Sequence, residues 1–574
     1  MNNEDPFHYL QVDSEQTNQF IDAQNSKFSS FLKFNPKIQS DLKLNYNYER
    51  FSVYRYHHPY YYFSYNPGLL NQSILIRQHV ETLEQETILD PNAWSEDGTI
   101  ALSSWTVSKN GNFLCFSKSA SGSDWNTIHC MDLRHKSQFP ECLEFCKFSS
   151  TTFTHDELGT FYQQYPKPVT SSSDLGKETD VLLNPTLKYH VWGTTPEKDV
   201  VVYKDDEHPK YMYSTEINHA GNLLFIYVSK DCEPQNLFWI VSLEAYTLPV
   251  GEIKINKLID TWHAEYSYVD DNQGNNGTIL FKTNFNAPQH KLIQFNISNN
   301  SSTDFITKYP NSAGYAVLQD AFVINKVLCL QWMVDVEGKL TLHQLDGAFI
   351  KELNFGKDCV SFSGIHAKYY NTVMVVKISG FTLPGSMYLV DMTGAALGEF
   401  TLLRDTNIHM DLSSTATKKE WVKASDGTLI PVFITRDESI HTTGNVPVYL
   451  YGYGGFNISL DPYFSMIAAG FLKYCKGIHV VACIRGGGEL GEEWHKAGIK
   501  RNKKRGLKDF IECAEYLKKT YKTNKLFSHG GSNGGLLTAA CAQMSPFSFD
   551  AVISDVGVMD MLKYHTYTIG NLLN

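Results

Sequence analysis

A serine between glycines is the first candidate for chemistry in this sequence. Residues 530–534 read Gly-Gly-Ser-Asn-Gly and fit the G-x-S-x-G pattern, with Ser532 at the centre. In hydrolases this pattern forms a sharp strand-to-helix turn that lifts the serine hydroxyl above the edge of a sheet. An apolar run precedes it and a segment rich in small residues follows. The context favours a nucleophilic serine, and the alternative is a Gly-Ser loop that only joins a strand to a helix.

A second candidate is the stretch YGYGGF at 451–456. A tyrosine at a glycine-rich strand end can donate its phenol to the charge that develops on a carbonyl oxygen, with a backbone N–H as the second donor. The alternative is a tight turn whose aromatic rings only pack. The residues alone leave both interpretations open.

A third stretch, IRGGGELGEEWHKAG at 484–498, carries one arginine, several carboxylates and a histidine. These side chains could belong to a site, or they could form an arginine–carboxylate network that holds a loop. For the carboxylates we favour the network.

Strands and helices alternate after about residue 405, and these elements must position the three stretches. VPVYLYGYGG (446–455) and GIHVVACIRGGG (477–488) are apolar runs that end in glycine, as buried parallel strands do. An amphipathic helix is expected at 509–519, a strand at 525–529 and a helix at 533–544. The order predicts a doubly wound α/β sheet with Ser532 between a strand and a helix.

The chain before this region has a different texture. Residues 1 to about 50 have helical spacing, whereas short β-like runs separated by turn residues fill the next 350 or so residues. Similar units recur around Gly111, Gly159 and Gly221, with a period of about 50 residues, the size of a four-stranded propeller blade. This period predicts about seven blades, and an array of β-sandwiches is the alternative.

Charge and composition exclude several classes of protein. The 574 residues carry a net charge of −11 without a basic stripe, which argues against nucleic acid or an anionic membrane as partner. The N-terminal residues lack a basic segment followed by an apolar core, and no apolar run is long enough for a membrane span. The eleven cysteines are scattered singly. We therefore expect a cytoplasmic protein with reduced thiols.

Several long stretches are similar to the prolyl oligopeptidase (prolyl endopeptidase) family of serine peptidases. They include GGSNGGLL (530–537), VYLYGYGGFNIS (448–459), VGVMDMLKYHTYTIG (556–570) and SASGSDW (119–125), and the resemblance extends over about residues 4–570. It implies an α/β-hydrolase combined with a seven-bladed β-propeller. The implied domains are an N-terminal segment at 1–50 that packs on the hydrolase domain, a propeller at 51–405 and the peptidase domain at 406–574.

The resemblance also implies a reaction, hydrolysis of oligopeptides on the carboxyl side of proline through an acyl-enzyme. Ser532 is the implied nucleophile, and the Tyr453 phenol and the Asn533 backbone N–H are the implied oxyanion donors. Apolar walls for the proline ring are implied at three positions, Phe456, Val558 and Ile569. The propeller would admit oligopeptides and exclude folded proteins. We expect a monomer that uses no cofactor and no metal.

The same resemblance places the catalytic aspartate and histidine of the family beyond residue 574. We therefore expect the chain as it stands to lack both, and its activity to be doubtful. Three histidines lie near the motifs or after them, but none is where a general base is expected: His495, His529 and His565. The alternative function is a catalytically inactive, truncated form whose propeller binds peptides or proteins.

Overall fold

The computed structural model describes residues 5–168, 175, 176, 178, 181–244, 248, 252–271, 277–310, 314–440, 445–567 and 570. The chain falls into two compact units, Met1–Asn47 and Tyr48–Asn574. The first contains a short 3₁₀ helix and two α-helices, α1 (Glu15–Phe31) and α2 (Pro36–Tyr46). Ser14 caps α1 by accepting from Thr17 N–H, and Asn35 caps α2 ahead of its leading proline. The predicted helical start of the chain is confirmed.

Seven antiparallel sheets of four or five strands follow in the second unit, from Arg50 to Asp405. The first three blades contain β1 (Arg50–Phe51), β2 (Arg55–His57), β3 (Tyr60–Asn66), β4 (Ile74–His79), β5 (Gln85–Leu89); β6 (Ile100–Val107), β7 (Phe113–Ala120), β8 (Trp125–Asp132), β9 (Ser137–Gln138), β10 (Leu143–Lys147); β11 (Thr152–Phe153), β12 (Gly159–Gln164), β13 (Thr186–Val191) and β14 (Val200–Lys204). The other four contain β15 (Met212–Ile217), β16 (Leu223–Ser229), β17 (Leu237–Ser242), β18 (Ile255–Ile259); β19 (Tyr266–Asp270), β20 (Thr278–Thr283), β21 (Lys291–Asn296), β22 (Ser301–Ile306); β23 (Ala316–Ile324), β24 (Val327–Val334), β25 (Glu337–His343), β26 (Phe349–Leu353); β27 (Val360–His366), β28 (Val373–Gly380), β29 (Leu383–Asp391) and β30 (Phe400–Asp405).

Two of the three glycines that revealed the repeat occupy equivalent places, whereas Gly159 is the first residue of β12. Gly111 lies in the turn between the first two strands of the second blade, and Gly221 in the same turn of the fourth. Both have positive φ, +78° and +83°. A Cβ on Gly221 would lie 2.1 Å from His155 Nδ1, so a side chain there would collide with the neighbouring blade. The seven-bladed propeller predicted from this period is confirmed.

The ring closes between its first and last blades by hydrophobic packing. Phe63 and Ile76 of the first blade share one buried cluster with Val375 and Met387 of the seventh. Similar buried clusters join the six remaining pairs of neighbouring blades. Because every blade buries its faces against two neighbours, the propeller has a continuous circular core.

A six-stranded sheet follows the propeller in the order β31-β32-β34-β33-β35-β36. Its strands are β31 (Thr415–Lys423), β32 (Leu429–Asp437), β33 (Val448–Gly452), β34 (Ile478–Ala482), β35 (Leu526–Gly531) and β36 (Ala551–Asp555). Its helices are α3 (Met466–Cys475), α4 (Glu492–Lys496), α5 (Lys503–Tyr521) and α6 (Asn533–Met544). The last four strands along the chain are parallel, whereas β31 and β32 add an antiparallel edge that the sequence analysis did not assign. Among the described helices, none is long and apolar enough to cross a membrane.

The strand order determines where a site can form. From β33 the chain proceeds to β34 on one side and later returns to β35 on the other. The carboxyl ends of β33 and β35 therefore lie side by side where the winding of the sheet reverses, the point at which α/β sheets bind their ligands. Tyr453 directly follows β33, and Ser532 directly follows β35.

Candidate active site

Ser532 lies on a strained turn between β35 and α6. Its φ of 55° and ψ of −116° are unusual for a residue with a side chain, and the residue is exposed. The turn is held from both sides: Ser532 N–H donates to Asp555 O at 2.9 Å, and its carbonyl accepts from Gly535 N–H at 3.0 Å. A strained conformation that the surrounding hydrogen bonds enforce is typical of a functional site.

The glycines around Ser532 are required by close contacts. A Cβ on Gly530 would lie 2.3 Å from the carbonyl oxygen of Gly534, and one on Gly534 would lie 2.6 Å from that of Gly452. The second contact shows that the start of α6 packs directly against the end of β33. The turn therefore has the sharp strand-to-helix geometry that a nucleophilic serine requires.

Tyr453 reaches this turn from the neighbouring strand. The Tyr453 phenol lies close enough to the Ser532 side chain for the serine to influence its pKa. Burial raises the pKa of the Tyr453 phenol above its ordinary value, so the hydroxyl keeps its proton at neutral pH and can act as a donor. Of the two interpretations of YGYGGF, the geometry favours the donor over the purely packing aromatic.

Asn533 offers a second donor beside Tyr453. It is the first residue of α6, so its backbone N–H has no partner within the helix, and no acceptor for it is found among the described residues. Its buried side chain donates from Nδ2 to the Tyr453 carbonyl oxygen at 2.6 Å. The Tyr453 phenol and the Asn533 N–H therefore lie on two segments that this hydrogen bond joins. The Asn533 N–H is at the positive, N-terminal end of α6.

A cavity of about 400 Å³ extends from Asn533. Its walls are largely apolar and include Phe456, Ile499, Leu536, Val558 and Met561. The structure thus brings together two of the three residues predicted as walls of the proline pocket. The third, Ile569, lies outside the described residues.

The same cavity contains residues that the sequence analysis did not consider. Cys232 and Glu233 reach it from the propeller loop between β16 and β17, and Glu233 forms an ion pair of 2.5 Å with Lys500. Lys503 lines the cavity from the start of α5. No local pattern marks these residues, because each lies far from Ser532 along the chain.

The histidines near the site have other partners. His529 Nδ1 lies 2.6 Å from the Tyr449 hydroxyl, and its Nε2 lies 2.7 Å from Asp555 Oδ2. His495 is buried, with Nδ1 2.7 Å from the Gly486 carbonyl oxygen. Within the described ranges, no three histidine, cysteine or acidic side chains are grouped so as to hold a metal ion.

The third stretch does contain an arginine–carboxylate network. Arg485 donates from Nε and Nη2 to the two oxygens of the buried Asp509, at 2.8 and 2.5 Å, and from Nη1 to Asp426 at 2.7 Å. The partners are therefore outside the stretch, whereas its own Glu489 is buried and accepts from Leu460 N–H. The network holds the loop that follows β34.

Arg485→Met should lower the free energy of unfolding by about 3–5 kcal/mol, because Asp509 would stay buried without its partner. Arg501→Met is a matched control at an exposed position, with an expected change within about 0.5 kcal/mol. Urea unfolding followed by tryptophan fluorescence measures both. Equal losses in the two variants would contradict the structural role of the pair.

The fold and the site together define a serine hydrolase of the α/β-hydrolase class that carries a seven-bladed β-propeller. Residues 2–401 match the family described as prolyl oligopeptidase, N-terminal beta-propeller domain, and residues 465–572 match the prolyl oligopeptidase family. The chain belongs to the prolyl oligopeptidase family, and it is a serine-type endopeptidase by that membership.

Relatives of known name support this assignment. Prolyl oligopeptidase A of Galerina marginata is 32% identical over 99% of this chain and 80% of its own length. Prolyl endopeptidase of Dictyostelium discoideum is also 32% identical, over 99% of this chain and 81% of its own. Among solved structures, prolyl oligopeptidase B from Galerina marginata, bound to a 35mer hydrolysis and macrocyclization substrate, superposes with a TM-score of 0.91 at 30% identity, covering 99% of this chain and 81% of that one.

Proposed function

We propose that this protein hydrolyses oligopeptides on the carboxyl side of proline. The observation that carries the proposal is the placement of Ser532 on a strained turn, beside the Tyr453 phenol and next to an N–H that has no acceptor among the described residues. These three groups are what acyl transfer from a peptide carbonyl requires. The names of the relatives, prolyl oligopeptidase and prolyl endopeptidase, support proline as the residue before the cleaved bond.

In the proposed reaction, Ser532 Oγ attacks the carbonyl carbon of the proline residue. The Tyr453 phenol and the Asn533 N–H donate to the oxyanion of the tetrahedral intermediate. Its collapse expels the amine and leaves an ester on Ser532, which water hydrolyses to release the acid and restore the hydroxyl. The serine must lose its proton to a base during attack, and we assign that role to none of the described histidines.

We propose that Phe456 and Val558, together with Ile569, form the apolar walls that receive the proline ring. The cavity beside Asn533 supports this for the first two residues. A compact apolar ring without hydrogen-bond donors fits a site of this composition.

The remaining proposals concern the whole molecule. A cavity of about 700 Å³ lies at the centre of the propeller and is lined by the inner strands of its blades, so an oligopeptide could enter where a folded protein could not. We propose that the propeller filters substrates by size in this way. We also propose the three-part division of the chain at residues 50 and 405, with the N-terminal segment packed on the hydrolase domain. A monomeric state and a cytoplasmic location complete the proposal.

Cleavage mapping tests the proposed reaction. Two oligopeptides that differ only in one internal residue, proline or alanine, are incubated with the enzyme, and the products are identified by mass spectrometry. The expected result is a single cut after proline and none in the alanine peptide. Cuts at both sites would contradict the proposed specificity, and binding without any cut would support the inactive scaffold.

Phe456→Ala should raise KM for a prolyl peptide about tenfold, since the lost ring contact is worth roughly 1.5 kcal/mol. The value of kcat should change by less than about twofold, because a pocket wall binds substrate and transition state equally. Steady-state kinetics with a fluorogenic prolyl peptide measures both constants. Ile458→Ala, at an exposed position on the same loop, is the control and should change neither. A lowered kcat with an unchanged KM would contradict the assignment of Phe456 to the pocket.

A further inference from the structure

Lys503 occupies a position that is unfavourable for a lysine. Helix α5 begins with Lys503, Lys504 and Arg505 and has no acidic residue in its first turn. Cations at a helix N-terminus oppose the positive end of the helix dipole and cost stability. Lys504 and Arg505 are exposed to water, whereas Lys503 is partly buried and lines the cavity beside Asn533. A local choice that costs stability is expected where it serves function.

The contacts of Lys503 connect it to both oxyanion donors. Its Nζ donates to Asn533 Oδ1 at 2.7 Å and to the Gly454 carbonyl oxygen at 3.2 Å. The same Asn533 amide donates from Nδ2 to the Tyr453 carbonyl oxygen. Because an ammonium group only donates and a backbone carbonyl only accepts, these partners determine the orientation of the amide.

This arrangement adds a side-chain bridge between the segments that follow β33 and β35, two strands already paired in the sheet. After β33, the Tyr453 carbonyl accepts a hydrogen bond from the Asn533 amide, and the Gly454 carbonyl accepts one from Lys503. One oxyanion donor is the phenol of Tyr453, and the other is the N–H of Asn533. The sheet sets their approximate separation, and the bridge that Lys503 and the Asn533 amide form fixes it beyond the strand ends. A displacement of about 1 Å in such a site can cost roughly a hundredfold in rate.

We propose that Lys503 is a positioning residue that holds the Tyr453 phenol and the Asn533 N–H at the spacing that the oxyanion requires. It acts through the Asn533 amide and the Gly454 carbonyl, and it does not contact the reacting atoms. The inference rests on the proposed function of Ser532 and its two donors.

The charge of Lys503 makes the bridge sensitive to pH. Burial lowers the pKa of Lys503 to about 8. The other titratable side chains that line the same cavity are Cys232, Glu233, His495, Lys500 and Tyr564. Of these, Lys500 and Glu233 form an ion pair with each other. A charged donor forms a stronger hydrogen bond than a neutral one, so the bridge should weaken as pH rises through about 8. Lys503→Arg, whose side chain stays charged, should keep the bridge and lose this alkaline decrease in kcat.

The test compares Lys503→Met with Lys504→Met, its exposed neighbour in the same turn. Two inhibitors separate the effects: a peptide ending in prolinal, whose hemiacetal with Ser532 develops an oxyanion, and the same peptide ending in pyrrolidine, which has no terminal carbonyl. In Lys503→Met we expect kcat and prolinal affinity to fall together by about 10–100-fold. KM and pyrrolidine affinity should stay within about twofold, and Lys503→Arg should restore most of kcat.

A double-mutant cycle tests the route of the effect. In an Asn533→Ala background, Lys503→Met should add less than about threefold, because the amide that it holds is already absent. Equal losses of affinity for the two inhibitors would overturn the inference. Additive losses of kcat in the double-mutant cycle would also overturn it. If Lys503→Met does not fold, Lys503→Gln, which keeps a shorter donor, replaces it.

The outcome also separates this inference from the function on which it rests. If Ser532→Ala still cleaves the peptide, the proposed function is wrong. If Ser532→Ala is inactive and Lys503→Met behaves like Lys504→Met, only the role of Lys503 is wrong.

Discussion

Ser532→Ala should lower kcat for cleavage after proline by about 10⁵–10⁶-fold, with KM within about threefold of the unchanged enzyme. The physical reason is that the covalent route disappears with Oγ, whereas the pocket and both oxyanion donors remain. The residual rate would come from these donors acting on direct attack by water. Steady-state assays with a fluorogenic prolyl peptide measure kcat and KM.

Labelling by a fluorophosphonate provides an independent measurement of the same prediction. The reagent modifies an activated serine, so the label should be lost in Ser532→Ala. Ser528→Ala is a matched control, since Ser528 lies on the same strand, is fully buried, and its hydroxyl has no hydrogen-bond partner among the described atoms. The label and kcat should survive that change. Labelling that persists in Ser532→Ala would show that another residue is the nucleophile.

Tyr453→Phe should lower kcat by about 10²–10³-fold, because one of the two oxyanion donors is removed while the aromatic ring stays. The loss should be smaller than for Ser532→Ala, since the Asn533 N–H still donates. KM should change little, because the oxyanion exists only in the transition state and the intermediate. Steady-state kinetics and the affinity of the prolinal inhibitor should show the same loss.

Tyr451→Phe is the control for that experiment. Tyr451 lies two residues earlier on β33, and its hydroxyl interacts with Tyr463 and not with Ser532. Its kcat should stay within about twofold of the unchanged enzyme. If Tyr453→Phe instead raised KM and left kcat unchanged, the phenol would bind the substrate in its ground state.

The local sequence was sufficient to predict Ser532 as the nucleophile and to place it on a sharp strand-to-helix turn. The glycines at 530 and 534 are required by contacts of 2.3 and 2.6 Å with backbone atoms, one of them within the motif itself. The contact between Gly530 and Gly534 lies within five consecutive residues, so the local pattern reveals it. The propeller was predictable for a similar reason, since each blade repeats the same short-range turns, as at Gly111 and Gly221. Periodicity reports local structure that is repeated along the chain.

The residues alone could not decide the role of Tyr453. Its position after an apolar strand was consistent with a donor or with a packed ring. The order β34-β33-β35 places the ends of β33 and β35 side by side and brings the phenol to Ser532. Strand order results from the packing of the whole sheet, and no short stretch of sequence specifies it.

The role of Lys503 was even less predictable from the sequence than that of Tyr453. Its partners Asn533 and Gly454 are 30 and 49 residues away, so its own neighbourhood presents only a basic start of an amphipathic helix. The carboxylates Glu233 and Asp509 likewise find their partners across the fold. The sequence by itself predicted Ser532 as the nucleophile and determined its turn and the repeat, because the turn and the repeat depend largely on backbone contacts between near neighbours. Only the tertiary structure decided which distant side chains complete the site, because burial and strand order bring them together.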